Sequence, residues 1–263
     1  MPSERLFLEM RYYESDQENV VGASLPGDFG RVFAFPKSIH SVGARIARKL
    51  REHGFSAGLY DHLYVNFTTV LSEGQCRYSP REVEERIKYV DFGLFPSNTN
   101  RLSETEKASL VCRLTFDILR FVAGERPEQL ALVNRVAAEI EEKGSELEIV
   151  HKTKETAAYA VTVTYQIRPT GQQSIGLVEY RDKNSGEKRK GEFIKLHNYE
   201  EIFALVGSIL VSHGVITLKP RPSYRASLDT QAYRVPVQVP INELSAPVEA
   251  GQASRGASAG RSA

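Results

Sequence analysis

Apolar positions along this chain follow two periods. From 103 to 143, in SETEKASLVCRLTFDILRFVAGERPEQLALVNRVAAEIEEK, they recur every three to four residues. Val111, Leu114, Ile118 and Phe121 form one stripe, and Leu130, Val133, Ala137 and Ile140 form a second. Such stripes predict two amphipathic helices. Ser103 followed by Glu106 is a capping box at the start of the first. Gly124 suits its end, Pro127 suits the first turn of the second, and Gly144 is the stop. Neither stripe is stable alone in water, so both must pack on a sheet or on each other.

Outside this pair the period is largely two. Leu6, Leu8, Met10 and Tyr12 alternate with Glu9 and Arg11, which predicts a half-buried strand over 5–13. A short apolar run, RVFAF, follows a loop, and Ser38 is placed to cap a helix reaching about residue 53. In DHLYVNFTTVL (61–71), Leu63, Val65, Phe67 and Leu71 take one face, and His62, Tyr64, Asn66 and Thr68 the other. The run IKYVDFGLF (87–95) is expected as its antiparallel neighbour. Strands starting at Leu147, Tyr159 and Ser174, and a last one at GEFIKLH, make a meander with a tip at Asn184-Ser185-Gly186. EEIFALVGSILVS reads as an apolar helix stopped by Gly214, with VITLK as a final strand.

These elements predict an α+β fold, with largely antiparallel sheets flanking a central helix pair. The globular region is expected over 1–220, either as one core or as sub-domains 1–102 and 145–220 joined by helices 103–143. Residues 221–263 begin Pro-interrupted and end in small-residue low complexity, which predicts an extended to disordered tail.

Composition narrows function by exclusion. Lys and Arg number 34 against 33 Asp and Glu, so the basic excess of a nucleic-acid binder is missing and nucleic acid is disfavoured as a partner. Cys76 and Cys112 are too few for a secreted disulfide scaffold. The N-terminus lacks the pattern of a signal peptide, and no window has the apolar length of a membrane span. A soluble cytoplasmic protein, not a membrane protein, is expected.

Catalytic signatures are weak. DFG occurs at Asp28-Phe29-Gly30 and at Asp91-Phe92-Gly93, without the other motifs of a kinase. Gly22, Gly27 and Gly30 lack the Lys-Ser/Thr ending of a phosphate loop. No histidine pair has metal-site spacing, and neither a metal nor a cofactor is expected. Asp61-His62 beside Tyr64 could serve as an acid–base group, although a polar outer strand face explains it more simply. The cationic tip YRDKNSGEKRKGEF reads as a solvated hairpin.

The outer strand face is richer in Tyr, Asn and His than in charge, a composition suited to protein contact. His62, Tyr64 and Asn66 are therefore the candidate binding residues. The runs YDHLYVNFTTVLSEG (60–74) and IKYVDFGL (87–94) resemble segments of bacterial immunity proteins that neutralise polymorphic toxins. The resemblance implies a non-catalytic intracellular inhibitor that binds and occludes a cognate toxin, and it identifies no contact residues. The alternative is a hydrolase or nucleotide-handling enzyme with a site assembled from distant residues.

Overall fold

The structure, a computed structural model, describes residues 4–21 and 29–246. The fold is α+β, with largely antiparallel sheets. The chain divides into two compact units, the first holding residues up to 150 with 165–175 and 195–199, the second 151–164, 176–194 and 200 onward. The central helices belong to the first unit and do not join two sub-domains.

In the first unit, β1 (Glu9–Ser15), β2 (His62–Thr68), β3 (Cys76–Tyr78) and β4 (Ile87–Gly93) form one sheet in the order β1-β2-β4-β3. Strands β1, β2 and β4 run parallel, and only β3 is antiparallel to its neighbour. The antiparallel pairing expected between β2 and β4 is thus corrected. Alternation reveals which face of a strand is buried but not its direction, which the connection decides. Here the chain after β2 folds back through β3 before entering β4.

Helix α1 (His40–Glu52) is the crossover from β1 to β2, followed after β4 by α2 (Pro96–Thr99), α3 (Glu104–Ala123) and α4 (Pro127–Lys143). The predicted capping box is present, with Ser103 Oγ accepting from Glu106 N. Ser38 caps nothing, since a 3-10 turn at Lys37–Ile39 precedes α1. Val111, Leu114 and Ile118 enter the core with Val133 and Ile140, while Phe121 lies at the surface against Tyr78. The first strand is out of phase with expectation at its start. Leu8 N and Glu9 N both donate to Asp61 O, so Phe7 is buried and Leu6 exposed before regular alternation begins at Glu9.

Strands β5 (Glu148–Glu155), β6 (Tyr159–Gln166), β7 (Ser174–Asp182) and β8 (Lys188–Leu196) are sheet neighbours in sequence order. Their short connections require antiparallel pairing. Both units draw residues from these four strands.

The second unit adds α5 (Glu201–Leu205), β9 (Ser208–Ser212), β10 (Val215–Lys219), α6 (Tyr224–Asp229) and β11 (Val237–Pro240). Strands β9, β10 and β11 form an antiparallel sheet in the order β11-β10-β9. Two expectations are corrected here. SILVS is a strand, because a short apolar run does not by itself distinguish helix from strand. Residues 221–246 are ordered into α6 and β11, burying Ala226, Val239 and Leu244. Prolines disguise β11, yet they are compatible with an edge strand, where one amide row goes unused. The expected disordered tail beyond 246 lies outside the described residues.

Candidate binding surface

His62, Tyr64 and Asn66 share the face of β2 opposite Leu63, Val65 and Phe67, as alternation requires. The side chains of this face are engaged within the fold. Tyr64 is only 7% exposed and Asn66 5%. The Tyr64 ring packs against Tyr13 and Tyr89, with the Arg11 guanidinium 5.4 Å from its centroid. Burial, only partly offset by Arg11, pushes the Tyr64 phenol up to about 12.

Asn66 Nδ2 donates to Asp91 Oδ1 at 2.9 Å and to Ser15 Oγ at 3.0 Å. Asp91, 1% exposed, also accepts from Asn19 Nδ2 at 2.7 Å and has Arg77 Nε 3.6 Å from its other oxygen. Arg81 Nη2 donates to Asn19 Oδ1 at 3.1 Å and its guanidinium covers Tyr89. These partners were not singled out from the sequence. The signal available was Asp91 inside an apolar run, since a buried charge requires partners.

Tyr64→Ala should accordingly act on stability. Removing a ring packed between two tyrosines and an arginine should cost about 3 kcal/mol, the scale of an aromatic truncation in a core. Urea denaturation measures it; an unchanged midpoint would return Tyr64 to the surface.

His62 is held by carboxylates on both ring nitrogens. Nδ1 donates to Asp61 Oδ1 at 2.6 Å, and Nε2 lies 3.4 Å from Glu9 Oε2. Burial works against the Asp61 carboxylate, but hydrogen bonds from Arg86 and His62 outweigh it and hold the acid below its ordinary range. His62 thus sits between the Asp61 and Glu9 carboxylates.

One open feature of the first unit lies at the sheet's edge. Among the described residues no strand pairs with the outer side of β1. There a cleft of about 560 Å³ is lined by the consecutive residues Leu8 to Tyr13, by α1, and by the segments around 167–172 and 197–199. Arg45 Nε and Nη2 donate to Ile167 O at 3.0 and 2.6 Å, fastening the 167 segment to α1. Small residues Ala44 and Ala47 keep the helical wall low.

Among the described residues, the guanidiniums of Arg11, Arg48 and Arg168 and the carboxylate of Glu9 line this cleft. Glu9 already accepts from Arg11 Nε at 2.7 Å, a bond that raises the Arg11 pKa. Arg168 Nη2 is bonded to the Glu146 carboxylate and to Gln166 Oε1, while its buried Nε lacks an acceptor. Burial, reinforced by Arg11 and Lys37, lowers the pKa of His40 and so favours a neutral imidazole in this wall.

No family model, curated protein or solved structure matches the chain. The local chemistry is therefore the only guide. Cys76 and Cys112 are unpaired, and burial raises the pKa of both thiols, that of Cys76 to about 12, which suppresses the thiolate needed for nucleophilic attack. In the cationic hairpin tip, Lys183 pairs with Glu155 and Arg189 with Glu187. No helix among the described residues is long and apolar enough to cross a membrane.

Proposed function

We propose that this chain is a non-catalytic protein-binding module, and specifically an immunity-type inhibitor that occludes a cognate toxin in the bacterial cytoplasm. The observation that carries the reading is the edge of β1. An open strand edge is a template for pairing with another chain, and proteins normally blunt or cover it. Here, among the described residues, the edge instead borders a cleft whose lining includes Arg11, Arg48 and Arg168. The resemblance of residues 60–74 and 87–94 to immunity-protein segments points to the same class of partner. Because Tyr64 and Asn66 make internal contacts, our reading puts the binding surface on the β1 side.

A photo-crosslinking amino acid at Gln172, in the cleft wall, and a control at the exposed Glu142 test this in the native cell. One polypeptide should crosslink from position 172 and not from 142. Producing that polypeptide alone should arrest growth, and co-producing this chain should relieve the arrest. No polypeptide specific to position 172, or a captured one whose activity the chain leaves untouched, overturns the reading. The enzyme alternative draws on the same guanidiniums, which suit a phosphate group. Nucleotide turnover by the purified chain that is lost in Arg48→Ala would favour it.

A further inference from the structure

We draw no further inference here: the strongest candidate, the surface groove of about 720 Å³ lined by β4 and the loop before it in the first unit, sets Glu82, Glu84 and Glu85 against Arg5, Arg81 and Lys88, so its lining selects no charge and nothing in the structure shows what covers it.

Discussion

Gly93→Ala should leave no soluble, cooperatively folded protein. A Cβ built on Gly93 would stand 2.0 Å from Ser72 O and 2.8 Å from Leu71 O. Both are backbone atoms, so no rotamer change relieves the overlap. The Ser72 carbonyl is itself fixed, accepting from Gln75 N at 3.0 Å. Gly93 N donates to Gln75 O at 2.9 Å and Gly93 O accepts from Gly74 N at 3.0 Å, which pins the opposing backbone from both sides. Overpacking a core by a methylene costs about 1–3 kcal/mol. Overlap with immobile backbone should exceed that, a large share of a total stability of roughly 5–15 kcal/mol. Expression followed by thermal melting checks it; a soluble variant melting within two degrees of wild type, roughly 1 kcal/mol or less, would show that the 71–75 turn yields. The result bears on function as well. The second DFG triplet is explained by a close backbone approach at Gly93 and by an Asp91 carboxylate already held by Asn19, Asn66 and Arg77. Neither residue is organised for magnesium.

Truncation after Arg221 should destabilise the second unit severely, the reverse of what the low-complexity character of the C-terminus suggests. The deletion removes β11 and leaves β10 with one partner in place of two. It also exposes the sites filled by Ala226, Val239 and Leu244 and breaks the paired backbone bonds between Lys190 and Ser245. Each fully buried Val or Leu side chain contributes about 1.5–3 kcal/mol, so the loss should reach several kcal/mol. Calorimetry should show the melting temperature falling by ten degrees or more, or an early transition splitting from the main one. A truncated chain that melts like wild type would show that β11 adds little to the sheet.

Much of the fold was legible along the chain. The capping box at Ser103 and Glu106, the stripes through Val111 and Val133, and the alternation around Leu63, Val65 and Phe67 all found their structural counterparts. These signals are local, because helix caps and side-chain periods depend on residues a few positions apart. Where local signals were ambiguous, contacts distant in sequence decided. SILVS became a strand by pairing with β10, and the proline-marked stretch at 237–240 became its other neighbour.

The candidate site was less legible. The sequence by itself determined that His62, Tyr64 and Asn66 share the non-core face of a strand. Only the tertiary structure decided that the face is filled, since Arg11, Tyr13, Asn19, Arg81 and Asp91 come from three separate stretches of the chain. It also decided that β1 stands at the edge and borders a cleft lined by arginines from positions 11, 48 and 168. The side-chain period of a strand specifies its faces, whereas strand order and edge exposure follow from which strands pair. That pairing is a property of the assembled sheet, carried by contacts that no local pattern encodes.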